Sequence, residues 1–148
     1  MAVPNSFALI SAQMGLDLTI ACPPEYDLGD EVMQEIHDAA RASGGNLRVA
    51  RDQHEACAGA KIIYAKSWGA KQFYGRSADD LALRQQYKDW RIDEEIMRST
   101  DEGWFMHCLP VRRNVVVTDG VLDGPQCAVI DEAENRLHVQ KAVLASIL

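Results

Sequence analysis

The sequence predicts an α/β protein with a doubly wound parallel sheet flanked by helices. Three observations carry this reading. Short apolar runs at residues 16–22, 46–50, 61–65 and 104–108 have the length and composition of buried strands. Segments with helical spacing separate them, which favours parallel crossovers over hairpins. The 148 residues amount to about one domain.

Taken in order, residues 3–15 place Phe7, Ile10 and Met14 at helical spacing, with Asn5 or Ser6 as candidate cap and Gly15 as the stop. "LDLTIAC" reads as a strand halted by Pro23 and Pro24. Residues 27–45 align Val32, Met33, Ile36, Ala39 and Ala40 on one stripe and end on Gly44-Gly45, an amphipathic helix with a glycine terminator. "NLRVA" is a short strand and "DQHEACAGA" a short helix. "KIIYA" and "WFMHC" are the next two strands. Between them, residues 66–103 are polar and partly helical, chiefly in "SADDLALRQQYKDW" and "DEEIMRST". "CAVI" reads as a last short strand before a helix over residues 131–148. Asp131 and Glu134 suggest a capping box there, and Ala133, Leu137, Leu144 and Leu148 form its apolar stripe.

Composition narrows the function classes. Fifteen basic against 22 acidic residues leave a net charge of −7, which argues against a nucleic-acid or anionic-membrane partner. There is no apolar run of membrane-spanning length, and "MAVPNSFALI" lacks the features of a signal peptide, so a cytoplasmic location is expected. Cys22, Cys57, Cys108 and Cys127 form no CxxC pair and read as reduced, mostly structural thiols. His54 and Cys57 could share a helix face, but two donors do not make a metal site, and no metal or cofactor is expected.

In open parallel sheets, ligands bind at the carboxyl ends of the strands. Two loops therefore matter: "KSWG", after the strand at 61–65, and "LPVRRN", after the strand at 104–108. Lys66 with Arg112 and Arg113 would gather three cations at one edge, an arrangement suited to a carboxylate or phosphate; a solvated lysine beside a packing Trp68 is the plainer alternative. His107 and Cys108 do not read as a base–nucleophile pair, because strand neighbours point to opposite faces. His107 reads as a core histidine and Cys108 as part of a pocket wall. Pro110 has no N–H and permits a cis Leu109-Pro110 bond that would turn carbonyls toward a ligand amine. Carbonyl acceptors beside cations suit an amino acid. Neither a dinucleotide fingerprint nor a Walker loop is present.

"HCLPVRRN" resembles the His-Cys-Leu-Pro motif of ornithine-type carbamoyltransferases, and its Arg-Arg-Asn extension is similar to the N-acetylornithine and N-succinylornithine branch. "AVPNSFAL", "TIACPPEYDL", "YAKSWG" and "DEAENRLH" fit that branch in the same order, so the resemblance covers essentially the whole chain. It implies the C-terminal, amino-acid-binding domain of an enzyme that moves a carbamoyl group from carbamoyl phosphate to the side-chain amine of an acylated ornithine, in arginine biosynthesis. Under this resemblance, the backbone at Cys108 and Leu109 receives the amine. Arg112 reaches toward carbamoyl phosphate or the substrate carboxylate, Lys66 contacts the acylated amino-acid end, Trp68 is a further substrate-binding residue, and His107 helps shape the pocket floor. It also implies a homo-oligomer, a trimer in the full-length family.

Two departures from the family pattern stand out. Val116 occupies a position where this branch often carries lysine, which leaves the choice among acetyl, succinyl and unmodified ornithine open. The phosphate-binding Ser-x-Arg-Thr-Arg and the His-Pro-x-Gln motifs do not occur in the sequence. The expectation is therefore an N-terminally truncated domain over residues 1–148, without its first strand and without the carbamoyl-phosphate domain. The chain alone is expected to be inactive, with exposed apolar surface on the helices at 3–15 and 131–148. The alternative is a non-catalytic ligand-binding or interaction module that retains the pocket.

Overall fold

The computed structural model describes residues 2–67 and 69–148. Its elements run α1 (Ala2–Gln13), β1 (Leu18–Ala21), α2 (Asp30–Ser43), β2 (Leu47–Ala50), α3 (Gln53–Cys57), β3 (Ile62–Tyr64), α4 (Ser77–Arg84), α5 (Glu94–Ser99), β4 (Trp104–Met106), α6 (Asp119–Leu122) and α7 (Val129–Ile147). The strands form two parallel pairs, β1 with β2 and β3 with β4. The fold is thus α/β with parallel pairing, as the alternation predicts. The described strands hydrogen-bond as two separate pairs rather than as one continuous sheet. Two compact units divide the chain: residues 1–56 with 68–89, and residues 57–67 with 90–148.

In the first unit, α1 packs on α2. The contact is made by Ala8 and Ala12 against Ile36 and Ala40, with Leu9, Val32, Met33 and Ala39 around them. The α2 stripe is therefore the one its spacing predicts. The α1 stripe is not: Ile10 and Met14 are exposed, and the small residues Ala8, Ser11 and Ala12 face inward. Small side chains let two helices approach closely enough for Ser43 Oγ on α2 to donate to the Ala12 carbonyl at 2.6 Å. Asn5 and Ser6 lie inside the helix rather than capping it. Asp30 and Glu31 in the first turn of α2 and Arg41 in its last turn complement the helix dipole. Gly44 ends the helix at φ 83°, a left-handed conformation that favours glycine. A Cβ on Gly45 would lie 2.7 Å from the Leu16 carbonyl oxygen, so β1 enters only because that position is bare.

The second unit is built around Phe105, Ile96 and Val117, with Cys57, Ile63, Ile92, Met97, Val121 and Val129 completing the core. Asp93 caps α5 by accepting from the Glu95 and Ile96 amides, so "DEEIMRST" becomes a helix with its own start signal. β3 and β4 pair in register, Ile62 with Trp104, Ile63 with Phe105 and Tyr64 with Met106. "CAVI" is not a strand. Cys127 makes one bridge to Phe105, and α7 starts at Val129. The Phe105 and Ala128 hydrogen-bond partners on this segment are used up within three residues, so the chain turns into the helix as soon as Val129 reaches the core.

With α7 starting early, Asp131 and Glu134 fall inside it and form no capping box. Only Val129 of this helix is buried; Leu137, Leu144 and Leu148, expected as its apolar stripe, are exposed. No described helix is long and apolar enough to cross a membrane.

Candidate functional site

The register of β3 and β4 decides where the two loops emerge. Because the strands are parallel and in step, both carboxyl ends lie at one edge, and the Ala65 amide donates to the Met106 carbonyl at 3.0 Å one residue beyond the paired segment. Lys66 and His107 are the next residues on either side. The "KSWG" and "LPVRRN" loops therefore leave the same edge of this pair, all within the second unit as far as residue 67. Trp68, expected as a substrate-binding residue, lies outside the described residues.

His107 is fully buried. Its Nδ1 contacts the carbonyl oxygen of Cys108, which assigns the ring proton to Nδ1 as donor. Nε2 is then an acceptor, and it is buried without a hydrogen-bond partner among the described residues. Burial is the main force holding the imidazole below its ordinary pKa, and the nearby cations Lys66 and Arg112 add to it. The Cys108 carbonyl and the Glu132 carboxylate pull the other way. The ring is therefore neutral at pH 7. β4 ends at Met106, so His107 and Cys108 lie beyond the strand, and the ring engages the Cys108 backbone.

Cys108 is half-buried, and Leu109 is 50% exposed at the loop tip. The Leu109-Pro110 bond is cis. Arg112 is exposed and Lys66 half-buried. Among the described residues neither has an ion-pair partner.

Arg113 departs from the expected trio of cations. It forms a fork onto Asp123, at 2.8 and 2.6 Å, and a further bond to Asp119 at 2.8 Å. These carboxylates raise its pKa above the usual arginine value, and it in turn holds both below theirs. Asn114 joins the same network: its side chain donates to Asp119 Oδ2 at 2.8 Å and accepts from the Asp119 amide at 3.2 Å. It does so at φ 57°, a left-handed conformation that asparagine tolerates better than most residues. Arg113 and Asn114 thus brace the loop, and Arg112 alone is left from the pair. Two aspartates six and ten residues downstream of Arg113 were the signal in the sequence, but nothing in their spacing showed that they fold back.

Two polar residues of this region were not singled out by sequence. Tyr64, at the end of β3, donates its hydroxyl to Glu132 Oε1 at 2.8 Å. Its phenol is pushed well above its usual pKa by burial, by Glu132 and by Cys108, so it remains a donor at neutral pH. Glu132 sits in the first turn of α7, and its second oxygen, Oε2, is buried without a hydrogen-bond partner among the described residues. The buried thiol of Cys57, in the same unit, is pushed up to about 11 by burial alone and is a core group.

Parallel strand pairs alternating with helices, with polar loops at a shared carboxyl edge, place the protein among α/β domains that work through the loops after their strands. The comparison with known proteins is more specific. Residues 2–147 match the family described as "Aspartate/ornithine carbamoyltransferase, Asp/Orn binding domain". The N-acetylornithine carbamoyltransferase of Xanthomonas campestris pv. campestris is 48% identical over 148 residues, 99% of this chain and 44% of that protein. The ornithine carbamoyltransferase of Geobacillus stearothermophilus is 35% identical over 99% of this chain and 46% of its own length.

Among solved structures, a variant of N-acetyl-L-ornithine transcarbamylase complexed with carbamyl phosphate and N-succinyl-L-norvaline superposes with a TM-score of 0.94 at 48% identity. It covers 99% of this chain and 45% of that one. Acetylornithine transcarbamylase complexed with acetylcitrulline gives 0.93 at 47% identity, over 98% and 44% of the two chains. The chain belongs to the aspartate/ornithine carbamoyltransferase family, through its Asp/Orn binding domain. It spans a little under half the length of these relatives.

Proposed function

We propose that this chain is the amino-acid-binding part of a carbamoyltransferase whose acceptor is the side-chain amine of an N-acylated ornithine. The observation that carries this reading is a strand edge with two buried acceptors beside two cations, all four without partners among the described residues. Among the described residues, His107 Nε2 and Glu132 Oε2 have no donor, and no ion pair involves Lys66 or Arg112. An amino acid supplies both: N–H donors from its amine and a carboxylate for the cations. The relatives' bound ligands, N-succinyl-L-norvaline and acetylcitrulline, support an acylated amino acid as the class.

In this reading the Cys108 and Leu109 carbonyls orient the amine, with His107 as the neutral wall behind it. Lys66 meets the acylated amino-acid end. Arg112 meets the carboxylate or the transferring phosphate. Transfer needs a neutral amine aligned on the carbonyl carbon and cations to stabilise the departing phosphate, which is positioning and electrostatics. Carbamoyl phosphate needs a helix N-terminus with clustered arginines. The Ser-x-Arg-Thr-Arg segment that provides them in the family is not among these 148 residues. The carbamoyl-phosphate half therefore falls to the part of the relatives' length that this chain does not span.

Titration of the purified chain with N-acetyl-L-ornithine and N-acetyl-L-citrulline, followed by calorimetry, tests the reading. Saturable binding is expected, together with no citrulline formation from carbamoyl phosphate until a complete N-terminal half is supplied. Failure of both ligands to bind defeats the amino-acid reading, and turnover by the chain alone defeats the division of labour.

A further inference from the structure

We infer that Asp80 is a positioning residue for the "KSWG" loop: buried on α4, its carboxylate holds the Ala70 amide and so fixes the far end of the loop that carries Lys66. The use of that placement in binding an amino acid rests on the function proposed above; the anchoring itself does not.

An inversion of ordinary burial on α4 is the first sign. Asp80 is the one residue of this helix that is buried, while Leu81 beside it is 57% exposed. Taking a carboxylate out of water is costly unless the interior returns its hydrogen bonds, so buried aspartates are rare and partnered. A helix that served packing alone would turn Leu81 inward. That α4 does the reverse directs attention to what Asp80 holds.

Its Oδ1 accepts from the Ala70 amide at 3.3 Å and from the Tyr26 hydroxyl at 3.3 Å. Its Oδ2 pairs with Arg84, one turn further along the same helix face. Ala70 and Tyr26 are themselves buried. Tyr26 also meets the Tyr87 ring edge-on, with centroids 6.3 Å apart, and the Tyr87 hydroxyl donates to Glu25 at 2.8 Å. Residues 70–87 are thus fastened to the turn at Pro24–Tyr26 through both Asp80 and Tyr87, and every one of these contacts is internal to the first unit.

Of these contacts, the Ala70 amide is the one that adjoins the loop of interest. "KSWG" occupies residues 66–69. On its near side the Ala65 amide donates to the Met106 carbonyl at 3.0 Å. On its far side Ala70, the next residue, donates to Asp80. A four-residue span clamped at both ends has few conformers, and releasing one end returns the freedom of an open segment. A buried amide that lost its acceptor would also be drawn toward water. Asp80 therefore separates a held Lys66 from a swinging one.

The test is amide hydrogen exchange, read residue by residue by NMR on the ligand-free 148-residue chain. Asp80→Ala is expected to speed exchange at Ala70 roughly 10- to 100-fold, the scale of one hydrogen bond to a charged acceptor. Amides of α1 and α2 are expected to keep their parent rates. Asp80→Asn keeps one oxygen of lower accepting power, so the same local change is expected at smaller size. That variant carries the test should the Ala variant not fold. A rise spread evenly over α1, α2 and Ala70 is general destabilisation and overturns the inference. An Ala70 rate unchanged in every variant that folds also overturns it.

Binding of N-acetyl-L-ornithine gives a second readout. The Asp80 variants are expected to lose affinity roughly three- to tenfold, a part of one charge-assisted contact, and to lose nothing further when Lys66→Ala is already present. A residue that acts through Lys66 has nothing left to position once that side chain is gone. Equal losses in both backgrounds, or no loss in a parent that binds, overturn the positioning role. Failure of the parent chain to bind counts only against the proposed function, and the exchange result stands without it.

Discussion

Two strand-end regions of this chain have similar ingredients and opposite outcomes. After β1, Cys22, Asp27 and the nearby Arg51 satisfy one another. Arg51 forks onto Asp27 at 2.6 and 2.8 Å and donates to the Cys22 carbonyl at 3.0 Å, while the Cys22 thiol leans on Asp27 at 3.4 Å. The thiol is pushed up to about 11, chiefly by burial and then by Asp27. Close by, Glu25 accepts from the Tyr87 hydroxyl at 2.8 Å. A depression of about 380 Å³ lies over this region, lined by Pro24, Glu25, Asp27, Gly29 and Gln72, but its charges are already matched. After β3 and β4 the reverse holds: among the described residues, Lys66 and Arg112 have no ion-pair partner and two buried acceptors are unspent. A cation at a strand end is therefore not by itself a site. What distinguishes the two regions is whether the protein supplies the counter-group.

The largest expected effect comes from removing what supports the second region. Phe105 is fully buried between β3 and the α7 start. Phe105→Ala should cost about 3–5 kcal/mol, the range for a large aromatic lost from a core, read as a lower midpoint in chemical denaturation. A loss under about 1 kcal/mol would mean that this core does not hold the loops.

Next in size is the direct contrast between the two sets of cations. Lys66→Ala and Arg112→Ala should each weaken N-acetyl-L-ornithine binding roughly 10- to 100-fold, the scale of one charge-assisted hydrogen bond, with little change in stability. Arg51→Ala should leave that binding unchanged. Equal losses of affinity in all three variants would erase the distinction between the regions.

The pH dependence sharpens the same contrast. His107 is held below its ordinary value when folded, so below about pH 6.5 the unfolded chain takes up a proton that the folded chain refuses. Its contribution to stability is complete above that pH and is lost as pH falls from there toward the folded value. Asp27 is held below its usual value chiefly by Arg51, so its contribution persists to lower pH and is lost only as pH falls through the carboxylate range. Denaturation midpoints collected from pH 8 to pH 3 should show the first decline in the histidine range, and Arg51→Ala should alter only the later one.

The smallest effect is the stability cost of Arg51→Ala itself. Both partners of its pair are a little under half exposed, and such pairs contribute about 0.2–1 kcal/mol. A larger loss would show that the Cys22 carbonyl depends on Arg51 more than the exposed geometry indicates.

Much of this was readable in the chain. The four strands, the α2 stripe and the Gly44 stop follow from local periodicity and backbone chemistry, which neighbours in sequence decide. The shared edge of the two loops followed from strand alternation, because parallel strands send their carboxyl ends the same way. The α1 face was misread because spacing favours the largest apolar residues, whereas helix packing selected the small ones. "CAVI" was misread because a short apolar run fits either a strand or a helix start.

What sequence alone determined was the α/β class, the order of elements and the residues that reach the carboxyl edge, because these depend on local propensity and on the direction of the chain. What only the tertiary structure decided was which of those residues are left unspent. Arg112 and Arg113 are adjacent and chemically identical. One is committed to Asp119 and Asp123 while the other has no ion-pair partner among the described residues, because α6 and its C-cap bring those two carboxylates back to the loop. Tyr64 and Glu132 are 68 positions apart and meet only because α7 begins where β4 ends its pairing. Pairing across such separations is set by packing, and no pattern of neighbours encodes it.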